Sequence, residues 1–434
     1  VGKNINAYKR RKKIDERRLS RRKDEFYKTG KRNIKSETVE DKRRKKLIEE
    51  KIVHKRIARE IRNRPSVSIV PPMKRFGIQL DGLVYSHGSF ACVTKGLARG
   101  FHELGIDVTI SAWREKDAGV KIDRIIESMI YKEIPFDVKI RVSHPDSFSA
   151  LGMNKRIYRI GYGVCETTSI PNHWASEIRN YCDETWVPST FVKKSFETKV
   201  KNVHVVPNGY DPKHFNPHAE PIDFGTKDKF TFLCNAVMQD RKGTSILVNS
   251  FLEEFKNDDD VILILKSYGW GEGEKEWRKN PKLKIIMDPI PDEEMGGLYT
   301  ACDCFVLPTK AEGFGMPILE AMACGIPVIT TRYSGHLDFC NDDNSFLIRV
   351  DHFEPAFGSD GNDWRGSWAV PDSEHLKDLM REACNSRDTI KQVGMKGYNH
   401  VKDRYTWGNI VLEHAIRLMD RCGISLIDNM VDAS

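Results

Sequence analysis

The sequence predicts an α/β protein of two parallel-sheet domains preceded by a basic, partly helical N-terminal arm. Three observations carry that prediction. From about residue 75 onward, short apolar runs of strand length alternate with amphipathic segments of helix length, the signature of repeated βαβ units. Several runs, VILILK (261–266) above all, are apolar almost throughout, as a strand covered by helices on both faces must be. At 434 residues the chain is long enough for two domains and an appendage. The divisions read as an arm (1–64), a first domain (65–222), a second domain (223–400) and a terminal helical segment (401–434).

The arm is set apart by charge. Residues 1–64 hold 26 Lys and Arg against 10 Asp and Glu, whereas the remainder holds 44 against 52. A mildly acidic body therefore carries an arm with an excess of about 16 positive charges. Runs such as RRKK (10–13) and KRRKK (42–46) are too polar to bury a core. Over 39–61, Leu47, Ile48, Ile52, Val53, Ile57 and Ile61 recur at mostly helical spacing, so a charged helix with one thin apolar stripe is expected there. The ten cysteines are scattered, without metal-like or disulfide-framework spacing, which fits reduced thiols. With neither a signal peptide nor an apolar run of membrane-spanning length, a soluble, cytoplasmic protein without a transmembrane segment is expected.

The first domain opens on the strand RFGIQL (75–80), a loop over 81–90 containing Gly82 and Gly88, and an amphipathic helix over 91–104. Gly105 ends that helix and IDVTISAW (106–113) is the next strand, a βαβ opening with a glycine loop at its first turn. DVKIRV (137–142) is another strand, followed by His144. A histidine there can reach a substrate at the carboxyl end of the sheet or satisfy local backbone. Residues 159–196 alternate strand, loop, helix, strand and helix, with Glu166 in the first loop. Glu166 can bind an acceptor hydroxyl, support the site or cap a helix.

FTFLCNAV (230–237) starts the second domain. Its first loop carries Arg241, Lys242 and Gly243, with Thr244 expected as the N-cap of the next helix. Two cations at the carboxyl end of a strand suit a diphosphate, whose charge must be met in the ground state and again on departure. Lys266, at the exit of VILILK, is a weaker candidate for the same role. Residues 351–368, rich in Gly, Asp and aromatics, read as an irregular insertion.

The densest stretch is AEGFGMPILEAMACG (311–325), between strands CFVLP (304–308) and IPVIT (326–330). Pro317 suits a first helical turn and Gly325 a left-handed helix stop. The helix N-terminus there faces the ligand side of a parallel sheet. Glu312 and Glu320 flank it, and carboxylates accept hydrogen bonds from hydroxyls. Phosphate donors framed by two such acids suit a ligand bearing both phosphates and hydroxyls, a nucleotide-sugar.

EGFGMPILEAMACGIPVITT (312–331) resembles the donor-site signature of retaining glycosyltransferases of family 4, a glutamate, seven residues and a second glutamate. Similar features run from about residue 72 to 407. The resemblance implies the GT-B architecture, two Rossmann-like domains facing across a cleft, with the terminal helix crossing back to the first domain. It implies sugar transfer from a nucleoside diphosphate with retention, the departing diphosphate helping to deprotonate the incoming hydroxyl. Arg241 and Lys242 would then neutralise the diphosphate, aided by N–H groups of Phe314, Gly315 and Met316. Glu312 would hold the donor sugar and Glu320 the ribose. Gly88 and Glu166 would line the acceptor side, and His144 would contact a sugar. No cofactor beyond the nucleotide-sugar co-substrate and no metal would be required. The arm's charge calls for a polyanion, nucleic acid before an anionic membrane, which opens the possibility of modified DNA as acceptor. A lipid-linked or glycan acceptor at a membrane surface, and a non-catalytic nucleic-acid-binding protein, stay open as alternatives.

Overall fold

The computed structural model describes residues 76–113, 120–226, 228–258, 260–268, 274–356 and 366–422, all within the unit Pro72–Ser434. The basic arm, the helix expected over 39–61, the linker after it and the middle of the 351–368 insertion lie outside the described residues.

The first half contains β1 (Gly77–Leu83), α1 (Ser89–Glu103), β2 (Asp107–Trp113), α2 (Arg124–Met129), β3 (Val138–Val142), β4 (Tyr158–Tyr162), α3 (Asn172–Tyr181), β5 (Glu184–Val187), α4 (Thr190–Glu197) and β6 (Val203–Val205). The six strands form one parallel sheet in the order β2-β1-β3-β4-β5-β6.

The second half contains β7 (Phe230–Asn235), α5 (Thr244–Glu254), β8 (Val261–Lys266), α6 (Glu274–Trp277), β9 (Leu283–Ile286), α7 (Met295–Thr300), β10 (Cys304–Leu307), α8 (Met316–Ala323), β11 (Val328–Thr331) and β12 (Phe346–Ile348). Its parallel sheet runs β12-β11-β10-β7-β8-β9. Every residue of β7, β8, β10 and β11 is buried, as expected for strands with helices on both faces. There follow an antiparallel ribbon, β13 (Val350–Pro355) with β14 (Ser367–Pro371), and helices α9 (Ser373–Asn385), α10 (Arg387–Val401) and α11 (Trp407–Arg421). Trp407, Val411 and Leu418 of α11 join the core of the first sheet, and Arg417 pairs with the buried Glu184 of β5 at 2.6 Å.

Each sheet reverses its strand order once, between β1 and β3 and between β7 and β10. Crevices form at such points because the connections leave in opposite directions. The loops leaving β7 and β10 carry Arg241–Lys242 and Glu312, and those leaving β1 and β3 carry Gly88 and His144. Residues of both halves line one cleft of about 1290 Å³. Two Rossmann-like parallel sheets facing across a cleft is the GT-B arrangement.

Three local expectations are corrected. The first strand extends to Leu83, so Asp81 and Gly82 lie within it rather than in a loop. Asp81 suggests a loop by its charge, yet it is buried against Arg141 at 2.7 Å, Lys139 at 3.6 Å and the indole N–H of Trp113. Thr244 is the first residue of α5, not its cap. Gly243 caps instead, in the left-handed region at φ +67, where a Cβ would lie 2.0 Å from the Pro308 carbonyl oxygen. The 351–368 insertion is no irregular loop at its ends but the β13–β14 ribbon.

Candidate active site

The site is built where β7 and β10 lie side by side. After β7 the chain makes a tight turn through Asp240, Arg241 and Lys242. The exit of β10 is zipped to that turn by two bonds to the Arg241 carbonyl, from Lys310 N–H (2.8 Å) and the Thr309 hydroxyl (3.1 Å). The Arg241 guanidinium in return donates to the Ala311 carbonyl at 2.7 Å. Both cations are thereby delivered to Glu312. Lys242 Nζ donates to Glu312 Oε1 at 2.6 Å, and Arg241 stands 3.8 Å from the same oxygen. Burial would push the Glu312 carboxyl up, but Lys242 and Arg241 hold it below its ordinary range. The Glu312 backbone is pinned too, its N–H donating to Ser334 Oγ (2.8 Å) and its carbonyl accepting from Gly335 N–H (2.9 Å).

The two cations are accordingly not free. Side-chain exposure is 17% for Arg241 and 14% for Lys242. Arg241 also reaches across the cleft to Glu166 Oε1 at 3.3 Å, and Glu166 is further tied to β14 through Trp368 Nε1, which donates to its carbonyl at 2.9 Å. A salt-bridge chain Lys242–Glu312–Arg241–Glu166 therefore joins the two halves.

Helix α8 opens at the same place. Gly315 precedes it at φ +92, a left-handed conformation that a side chain would strain, and Pro317 occupies its first turn. The N–H groups of Ile318 and Leu319 turn back to the Gly315 carbonyl, leaving the Met316 end of the helix facing the cleft. Phe314, which also lines the cleft, sends its ring into a cluster with Phe339 and Tyr405. One helical turn on, Glu320 accepts a 2.6 Å bond from the buried Tyr299 hydroxyl, which in turn accepts from Asn235 Nδ2 at 2.9 Å. Burial pushes the Glu320 carboxyl up to about 7, against the effect of that hydroxyl. Asn235 and Glu320 both line the cleft.

The remaining sequence candidates differ in their access to the cleft. Gly88 lines it as the residue before α1, its N–H turned to Ser86 Oγ at 3.1 Å. His144 is not among the cleft-lining residues. Its ring lies edge-on to Phe90 at 5.0 Å and stacks on Trp174 at 5.6 Å, with Nδ1 buried and unbonded among the described residues. Lys266 is wholly buried, 3.6 Å above the ring of Tyr268, and burial pulls its pKa down to about 8. Tyr268 rather than Lys266 lines the cleft, stacked on His87 of the first half at 5.5 Å. Among the described residues no His, Cys, Asp and Glu side chains are grouped so as to hold a metal ion, and no helix is long and apolar enough to cross a membrane.

Sequence reasoning passed over Tyr299, Asn235 and Tyr268. Asn235 left a signal, a side-chain amide within the mostly apolar run 230–237. Tyr299 left none, because a tyrosine on an amphipathic helix reads as core.

Residues 228–358 match the family model described as glycosyl transferases group 1. Mannosylfructose-phosphate synthase of Agrobacterium fabrum is 27% identical over 159 residues, 33% of this chain and 35% of that protein. The matches to the first three curated relatives span 35%, 17% and 46% of those proteins' lengths. Among solved structures, Anabaena HepE in complex with UDP and glucose superposes with a TM-score of 0.60 at 13% identity, over 79% of this chain and 99% of that one. Sucrose-phosphate synthase from Thermosynechococcus elongatus gives 0.62 at 14% identity, over 80% and 100%. At such identities the likeness is one of fold.

Proposed function

We propose that this chain is a retaining glycosyltransferase that moves a sugar from a nucleoside-diphosphate sugar to an acceptor hydroxyl. The observation that carries the reading is the convergence of Arg241, Lys242 and the start of α8 on one point, with Glu312 at that point and Glu320 one helical turn away. Cations and helix N–H groups meet phosphate oxygens, while the two carboxylates take hydroxyls of the sugar and the ribose.

In this reaction the bond between the anomeric carbon and the diphosphate oxygen breaks as the acceptor oxygen attacks from the same face. The acceptor proton passes to the departing diphosphate oxygen. Arg241 and Lys242 neutralise the charge that develops there, and the N–H groups at Phe314, Gly315 and Met316 add donors. Lys242 has to share its ammonium between Glu312 and the diphosphate, which a three-donor group permits. Glu166 and Gly88, on the opposite wall, flank the acceptor. His144 and Lys266 act through the rings beside them, Phe90 and Tyr268, which themselves line the cleft. No metal is required on this reading.

For the acceptor we favour a nucleic acid held by the basic arm, DNA with a hydroxylated base being the specific form. The excess of about 16 positive charges over 64 residues is the support, because duplex phosphate is the commonest partner of such a segment. The whole reading is tested by incubating the chain with a panel of nucleotide-sugars and following release of nucleoside diphosphate, with the anomeric configuration of the product read by NMR. Release from one donor with a retained anomer is expected. An inverted product rejects the mechanism, and no release or stabilisation by any donor rejects the activity.

A further inference from the structure

Asp240 stands one residue ahead of Arg241, beside a cleft that the proposed function gives to a diphosphate. Its side chain is 74% exposed, and a free carboxylate there would repel the ligand over the same range in which Arg241 attracts it. Yet Asp240 does not line the cleft, although Gln239, Arg241 and Lys242 do.

Lys310, at the exit of β10, holds that carboxylate. Its ammonium donates to Asp240 Oδ1 at 2.9 Å and Oδ2 at 2.8 Å, and to Glu354 Oε1 of β13 at 2.7 Å. All three donors of the group are engaged, and the side chain is only 8% exposed. Burial alone would favour the neutral amine, but the bonds to Asp240 and Glu354 raise its pKa above the ordinary lysine value, so it stays a cation. The backbone of Lys310 is held as firmly, its N–H on the Arg241 carbonyl and its carbonyl on the Ala369 N–H of β14 at 3.0 Å. Lys310 thus stands between the loop and the ribbon, out of reach of the cleft.

We infer that Lys310 is a positioning residue for the phosphate-binding loop: it draws the Asp240 carboxylate away from the cleft and neutralises it, leaving the positive charge of Arg241 and Lys242 to face the ligand. The inference rests on the diphosphate reading above. It differs from a merely bracing role for Lys310, because the harm done by removing the lysine should come from the aspartate left behind.

Inorganic pyrophosphate is the probe, titrated into the full chain by calorimetry at low salt, with circular dichroism to confirm folding. Lys310→Met should weaken binding by about tenfold or more, while Lys310→Arg and Asp240→Asn stay within about twofold of the parent. The double variant Lys310→Met/Asp240→Asn should recover most of the loss. Lys310→Gln repeats the comparison if Lys310→Met does not fold. Parental affinity in a folded Lys310→Met, or a double variant as weak as Lys310→Met alone, overturns the inference and leaves the diphosphate reading standing. Failure of the parent chain to bind pyrophosphate overturns that reading and the inference together.

Discussion

Lys242 Nζ lies 2.6 Å from Glu312 Oε1, although the two residues are 70 positions apart in the chain. Glu312 is 5% exposed, so the pair sets the local electrostatics of the cleft. Removing one partner of a buried pair leaves an uncompensated charge, at a cost of about 3–5 kcal/mol in other proteins.

Arg241→Ala with Lys242→Ala should therefore do two things. Activity should fall, each lost charge-assisted bond to the diphosphate contributing about 1.5–3 kcal/mol. The melting temperature should also fall, because Glu312 is left buried without a cation. Adding Glu312→Gln should restore the melting temperature but not the activity. Calorimetric melting and donor hydrolysis measured on the parent, the double and the triple variant separate the effects, and unchanged turnover in a folded double variant removes both cations from the reaction.

Glu320 predicts a pH dependence. Its carboxyl titrates at about 7 in the folded protein, above the ordinary glutamate value, so the native state binds the extra proton. Its contribution to stability is complete below about pH 4 and is lost as pH rises toward and through 7. Ligand binding runs the other way, since the ionised carboxylate is the better acceptor for a ribose hydroxyl. Nucleoside diphosphate affinity should rise across pH 6–8, and Glu320→Gln should flatten that rise. An unchanged profile in the variant assigns the titration to another group.

Glu312→Gln and Glu320→Gln should divide the donor. The first keeps shape but replaces an acceptor oxygen with a donor where the sugar is placed, so it should spare binding of free nucleoside diphosphate and impair that of the nucleotide-sugar. The second should weaken both. Titrating each ligand into each variant decides this, and equal losses throughout would show the division of roles to be wrong.

Arg417 should matter to stability without touching the cleft. It ties α11 to Glu184, whose side chain is 1% exposed. Arg417→Met should cost about 3 kcal/mol, the lower end of the range for a broken buried pair, because the Tyr158 hydroxyl and the Trp186 indole N–H still donate to Glu184 at 3.0 Å and 2.5 Å. Denaturant unfolding measures it. A change under 1 kcal/mol would mean that the ion pair contributes little beyond these remaining donors.

Deleting residues 1–64 should leave donor hydrolysis unchanged and abolish retention on duplex DNA. Binding by the whole chain should be indifferent to base sequence and collapse between about 50 and 200 mM salt. Filter binding with DNA, set beside flotation with anionic vesicles, distinguishes the partners. Equal DNA binding by the truncated chain, or binding of vesicles alone by the whole chain, ends the nucleic-acid proposal.

Much of this protein is legible in its sequence because local chemistry dictates it. The alternation of apolar strands with amphipathic helices, the glycine and proline around residues 315–325, and the apolar run of β8 each depend on neighbours within a few residues, and periodicity and turn chemistry report those directly. Strand order does not leave such a trace. Only the placing of β10 against β7 puts Lys242 on Glu312, Lys310 on Asp240 and the Tyr299–Asn235 pair behind Glu320, and only the facing of the two sheets brings Glu166 to Arg241. Asp81 misleads for the same reason, since its charge suggests solvent until Arg141 of a neighbouring strand is there to neutralise it. Burial and charge pairing between distant segments are properties of the packed chain, so which acids and cations stand free, and which hold one another, is decided in three dimensions.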